Sequence, residues 1–194
     1  QQGPRPDHIR NPKYDPKSID LKGLTLLGER QLAFLNEWAK KKVTGMQKIV
    51  LSQTGFCGGA HIHGTLDNRL HADLDSNGWP QTGRNKALRL FKKANAIHVA
   101  GDQHIATVIQ HGIDQFDDGP WAFVVPAIVN NYYSRWWWPE KEKPGANANN
   151  QLPWTGNYLD GFNNKITMHA YANPNTNSNG AGFGIVRIND KSVI

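Results

Sequence analysis

Apolar and polar positions alternate along this chain with two distinct periods. Between Gly28 and Lys42, Leu32, Leu35, Trp38 and Ala39 recur at three- and four-residue spacing, which predicts an amphipathic helix. Glu29 in its first turn and Lys40-Lys41-Lys42 in its last complement the helix dipole. Residues 47–54 then read as a strand, Gln47 to Thr54. A second helix is predicted from about Arg84 to Asn95, with Ala87, Leu88, Phe91 and Ala94 turned inward. It feeds a short apolar strand, Ala96-Ile97-His98-Val99-Ala100, that stops at Gly101. Strand, helix and strand in that order imply a parallel pair joined by a right-handed crossover. Residues 53–54 and 101–102 are therefore expected on one rim of a sheet.

The flanking segments are less regular. Pro4, Pro6, Pro12 and Pro16 predict an irregular, extended start over residues 1–24. Residues 65–83 are polar and turn-rich. Ile105–His111 and Trp121–Val129 read as strands around an acidic turn at residues 114–119, and Lys165–Ala172 and Phe183–Asn189 as a closing antiparallel pair.

Candidate chemistry concentrates at the two strand exits. Asp102 and His104 follow Gly101, where open α/β sheets place their working groups, and offer a mixed oxygen and nitrogen ligand pair. His61 and His63 sit at i, i+2 in a glycine-rich exit loop, so in extended backbone both imidazoles share a face. Cys57 reads as a small loop filler with no base placed beside it. Asp73–Gly78 imitates the start of a calcium loop, but Arg84 stands where an EF-hand needs its closing acid. The aromatic run Tyr132–Trp138 offers either a substrate rim or a packing surface. A chain of 194 residues with 38% hydrophobic content suffices for a packed core. One cysteine excludes an internal disulfide. The formal charge of +6 favours anionic partners. Its lysines and arginines form no stripe interleaved with aromatics, which argues against a nucleic-acid groove. No run reaches the ~20 apolar residues of a membrane span.

Four segments together resemble a known family: Leu27-Gly28-Glu29-Arg30-Gln31, Val50-Leu51-Ser52-Gln53-Thr54, Asp75-Ser76-Asn77-Gly78-Trp79-Pro80 and Gly101-Asp102-Gln103-His104. They are similar to the PhoD-like alkaline phosphatases of the metallophosphoesterase superfamily, over nearly the whole chain and within the C-terminal half of that family's phosphatase domain. The resemblance implies an α/β fold, part of a metallophosphoesterase-type β-sandwich flanked by helices, with residues 1–194 as its C-terminal portion. Gly-Asp-x-His is similar to the superfamily's last metal motif, elsewhere Gly-His-x-His, which implies Asp102 and His104 as metal ligands. Gln53 stands where the preceding motif commonly has a histidine and is the third metal position. His61, His63 and Arg84 are then the residues expected to face the phosphate.

Iron with calcium, phosphorylated small-molecule substrates (monoesters and diesters), and a secreted, periplasmic or cell-envelope location follow from the same resemblance. The superfamily's first three motifs find no counterpart in residues 1–95. An N-terminal half of the domain, in the same or a separate chain, is therefore an expected partner, and the isolated chain is expected to be inactive. The alternative is a non-catalytic metallophosphatase-like module of a cell-envelope assembly, holding glycan or a partner through its tryptophans.

Overall fold

A computed structural model describes residues 10–58, 62–63, 65–69, 74, 76–126, 128, 155–172 and 181–189, with backbone alone for 62–63 and 65–69. Helices α1 (Pro16–Ile19), α2 (Glu29–Lys40) and α3 (Gln81–Lys93) accompany eight strands. These are β1 (Lys48–Thr54), β2 (Ile62–His63), β3 (Thr65–Arg69), β4 (Ala96–Gly101), β5 (Ala106–His111), β6 (Trp121–Val124), β7 (Gly156–Leu159) and β8 (Lys165–Ala172). Six of the strands form one mixed sheet in the order β1-β4-β6-β5-β8-β7, and β2 and β3 form a separate antiparallel hairpin. The protein is thus mixed α/β, and the aromatic run 132–138 lies outside the described residues.

The expected strand–helix–strand unit is present. β1 and β4 pair in parallel from Lys48↔Ala96 to Thr54↔Gly101, with an irregularity between Ser52 and Thr54. β4 also pairs in parallel with β6, after which β6–β5, β5–β8 and β8–β7 are antiparallel. The C-terminal pairing differs from expectation. β8 has β5 on one side and, along Lys165–Met168, β7 on the other, so its sheet neighbours are these two strands rather than residues 183–189. The polar residues 65–69 form a strand where only turns were expected, pairing as a hairpin with 62–63 through Ile62↔Arg69 and His63↔Thr65.

Helices α2 and α3 cover the sheet face that Val50 and Ala96 present. Phe56, Ala87, Leu88, Phe91 and Ile113 form one buried cluster with Leu35 and Val50 against it, and Ala39, Ala94 and Ala96 form a second. A third cluster, Ile105, Ile109, Ala122, Tyr158, Ile166 and Met168 with Cys57, fills the antiparallel half. The C-terminal end of α2 is held by a buried cation. Lys48 Nζ donates to Trp38 O (2.9 Å) and Ala39 O (3.1 Å), supplying positive charge at the negative end of the helix dipole.

The described part of the proline-rich start, from Arg10 on, is more structured than its composition suggests. Asp15 accepts from Lys17 N and opens the one-turn helix α1, with Pro16 at its first position. Residues beyond it strap down α3. Asp20 accepts from Thr82 N (3.1 Å) and Thr82 Oγ1 (2.7 Å), which supplies the cap that Pro80 lacks. Trp79 Nε1 donates to Ile19 O. Gly83 permits this close approach, because a Cβ there would lie 2.7 Å from Leu26 N.

Candidate functional site

Register places the carboxyl ends of β1 and β4 side by side, Thr54 opposite Gly101, so Gln53 and the loop Gly101–His104 share one rim of the sheet. The loop is tight and unusual. Asp102 (φ +71°) and His104 (φ +52°) are both in the left-handed region, which L-residues other than asparagine, aspartate and histidine rarely occupy. Such a conformation persists only where the surroundings over-determine it. Here the residue between them is the anchor. Gln103 is buried, its Nε2 donates to Thr54 Oγ1 at 2.8 Å, and its backbone N–H donates to Gly101 O at 2.9 Å. Ile105, fully buried, pins the far end of the loop in the core.

With Gln103 directed inward, Asp102 is exposed and His104 half-buried at the rim. Val125 N donates to Ala100 O (3.0 Å), which fixes β4 against the chain leaving β6. Asn77 belongs to the same rim. Its Nδ2 donates to Thr54 O at 3.2 Å, bringing the segment Ser76–Pro80 beside the strand end.

Of the residues singled out from the sequence, the structure brings Gln53, Asp102 and His104 to one edge. Gln53 is exposed on β1 next to that loop. His63 lies in the hairpin strand β2, and His61 falls outside the described residues. Arg84 is not at the rim, which corrects its assignment to the phosphate. It occupies the first turn of α3 and is only 1% exposed. Its Nε donates to Phe56 O (2.9 Å) and one terminal nitrogen to Gly112 O (2.6 Å) and Asn85 Oδ1 (2.8 Å). The other terminal nitrogen faces His111 Nδ1 (3.4 Å) and Lys165 O (3.5 Å). Burial lowers its guanidinium to about 10, opposed by the Asp160, Cys57 and Asp118 side chains, and leaves it cationic at neutral pH. A guanidinium so enclosed ties strands and loops together and does not meet a solute.

Beneath the rim runs a polar chain that the sequence reading did not isolate. Arg84 contacts His111 Nδ1, His111 Nε2 lies 3.3 Å from His98 Nδ1, and His98 Nε2 lies 2.6 Å from Ser52 Oγ. Ser52 Oγ in turn donates to Thr54 O at 2.7 Å. Both histidines are fully buried. Burial, reinforced by the Arg84 charge, pushes His98 down to about 4, and burial, Arg84 and His98 together hold His111 well below the ordinary histidine range. Both imidazoles are neutral at physiological pH.

Cys57 is buried, and that burial raises its thiol to about 12, so it is an inert filler rather than a nucleophile. Asp160 organises the opposite side of the same loop. Its carboxylate accepts from Gly58 N (2.7 Å), Phe162 N (2.9 Å), Asn164 N (2.8 Å) and Asn164 Nδ2 (2.9 Å).

Chemically, the rim offers a carboxylate, an imidazole and an amide oxygen to a cation. Among the described residues, no group of three or more histidine, cysteine, aspartate or glutamate side chains is gathered closely enough to complete such a site. A carboxylate and an imidazole are donor types that suit a hard or borderline cation. Comparison with protein-family models, curated proteins and solved structures finds no match to this chain.

Proposed function

We propose that this chain takes part in metal-assisted hydrolysis of phosphate esters, and that its sheet is part of a metallophosphoesterase-type β-sandwich flanked by helices. One observation carries the reading. An aspartate and a histidine, two residues apart, are both held left-handed at the adjoining carboxyl ends of two parallel strands, with the intervening glutamine clamped from below. That is where open α/β sheets hold ligands, and backbone strain of this kind collects at functional loops.

In this reading Asp102 and His104 hold a cation, with iron and calcium as the expected metals and Gln53 as a neighbouring oxygen donor. A bound cation there supplies Lewis-acid neutralisation of charge on the phosphoryl oxygens. The chain's own contribution is placement. Gln103 and Thr54 fix the two ligands in a geometry set before substrate arrives, which lowers the ordering that catalysis must supply. The remaining ligands come from outside the described residues, and an N-terminal half of the domain is the proposed source. Secretion or a cell-envelope location accompanies this proposal; among the described residues no helix is long and apolar enough to cross a membrane.

Metal analysis and turnover of a chromogenic phosphate ester test it, using the full chain with its completing partner. Asp102→Asn and His104→Ala should each lose bound metal and at least about tenfold in rate while the fold remains. Unchanged metal stoichiometry and rate in both variants would refute the assignment. A cleft of about 450 Å³ between α2 and β1, lined by Leu27, Phe34, Leu35, Val50, Leu51 and Phe56, favours a second reading as a non-catalytic binding module. Metal-free, inactive protein that still binds glycan or a partner would support that reading.

A further inference from the structure

The hydrogen-bond chain beneath the rim has a direction, and the direction is set at one end. Arg84 has only donors, so His111 Nδ1 must accept from it. His111 therefore carries its proton on Nε2 and donates to His98 Nδ1. His98 in turn carries its proton on Nε2 and donates to Ser52 Oγ. The Ser52 hydroxyl is left free to donate, and Thr54 O receives it at 2.7 Å. Every donor meets an acceptor from the helix to the strand end, with one tautomer at each histidine. The same polarity makes Ser52 an acceptor from His98, so the pair is not arranged as a nucleophile with its base.

We propose that Arg84, His111, His98 and Ser52 form a positioning device for the Gly101–His104 loop, acting through Thr54 and Gln103, and that it holds only while both imidazoles are neutral. Four elements meet in the chain: α3, β5, β4 and β1. Its far end is the residue that grips Gln103, Thr54 Oγ1 accepting from Gln103 Nε2. An added proton on either imidazole has no acceptor, because it would set N–H against N–H at His111 or at His98.

No negative charge faces the pair directly, and the one charged neighbour opposes a cation. Arg84 from α3 is positive, Ser52 from β1 is neutral, and the Phe56 and Phe91 rings pack 4.8 Å and 5.7 Å from the His98 ring. Cys57, Asp118 and Asp160 act on the Arg84 end of the chain. Acidification therefore breaks the chain in the middle and loosens the rim from beneath. The loop's geometry is set in this way whatever substrate the rim serves.

Nuclear magnetic resonance of the full chain with 15N-labelled histidine tests it. Long-range proton–nitrogen correlations should show His98 and His111 as neutral Nε2–H tautomers from pH 8 to pH 5.5. Ser52→Ala should speed amide hydrogen exchange at Gln103 at least tenfold while Ile109, deep in the sheet, is unchanged, and Ser52→Thr should restore protection. An Nδ1–H tautomer or a cationic ring at either histidine at pH 7 would overturn the proposal. So would exchange at Gln103 that follows Ile109 in both variants.

Discussion

Acidification from pH 7.5 to pH 4 should remove a definite part of this protein's stability, and the core histidines set how much. His98 falls from an ordinary value of 6.5 to about 4 because burial and the Arg84 charge disfavour its cation. Between those two values the unfolded chain binds a proton at residue 98 that the native chain refuses. Unfolding therefore becomes easier as pH falls, with the full stability present above pH 6.5. A shift of this size is worth about 3 kcal/mol by pH 4, at about 1.4 kcal/mol per pH unit. His111, held well below 6.5 by burial, Arg84 and His98, adds in the same direction. Against a typical domain stability of about 5–15 kcal/mol, that is a large fraction. Urea unfolding followed by tryptophan fluorescence measures it. With a slope of about 2 kcal/mol per molar urea, the midpoint should drop by about 1.5 M across this range. The native carboxylates with lowered values, such as Asp118, lose their contribution only at lower pH, so the window belongs to the histidines. A midpoint constant to within about 0.3 M from pH 7.5 to pH 4.5 would refute the neutral, acceptor-matched core.

Two substitutions separate structural from functional roles. Arg84→Ala should destabilise by about 3 kcal/mol or more, because Phe56 O and Gly112 O lose buried charged donors, and thermal unfolding reads this directly. A fully stable Arg84→Ala protein with weakened phosphate binding would restore the phosphate-facing assignment. Asp118→Ala should cost about 1 kcal/mol at pH 7, since its carboxylate accepts from Ile113 N, Asp114 N and Gln115 N near the surface. Burial raises the Asp118 value, yet those bonds outweigh it and bring it below the ordinary 3.8. The difference between Asp118→Ala and the native protein should therefore shrink as pH falls from the ordinary carboxylate range toward the lowered native value, and denaturant unfolding should show a smaller difference at pH 3 than at pH 7.

The parts of the fold with strong periodicity were legible in the sequence. α2, α3, β1 and β4 lie within a few residues of the spans their apolar spacing predicts, and the parallel pairing of β1 with β4 follows from their order. β7 was missed because four residues with alternate burial, Gly156–Leu159, give too short a signal between turns. Residues 183–189 look like a partner for β8, but alternation cannot say which neighbour wins an edge, and β7 occupies it. Arg84 is more instructive. Arg84, Ala87, Leu88 and Phe91 stand at i, i+3, i+4 and i+7, so the helical period itself puts the arginine on the buried face. Residue type alone suggests a solvent-facing cation, and its position on the helix outweighs that. His98 obeys the same rule between Ala96 and Ala100, and His111 does so beyond Thr107 and Ile109. Polar residues in the buried phase of an element were the available signal for the core chain.

That phase argument also bears on why the rim is built as it is. Replacing buried polar groups by well-packed apolar ones of similar volume is often neutral or stabilising, so stability alone is a weak account of a buried arginine, two histidines and a serine. What distinguishes them is direction and address. The chain starts at an arginine bonded to the loops at Phe56 and Gly112 and ends at Thr54, the residue that faces Gly101 across the parallel pair. Two left-handed residues, Asp102 and His104, follow, a conformation that persists where the surroundings over-determine it. Apolar contacts alone would tolerate a loop that slides by a fraction of an ångström. A sequence of donor–acceptor pairs does not, since each has one angle and one distance at which it forms. The polar core therefore trades stability in acid for a fixed placement of Asp102 and His104, and the two properties should be lost together over the same pH range.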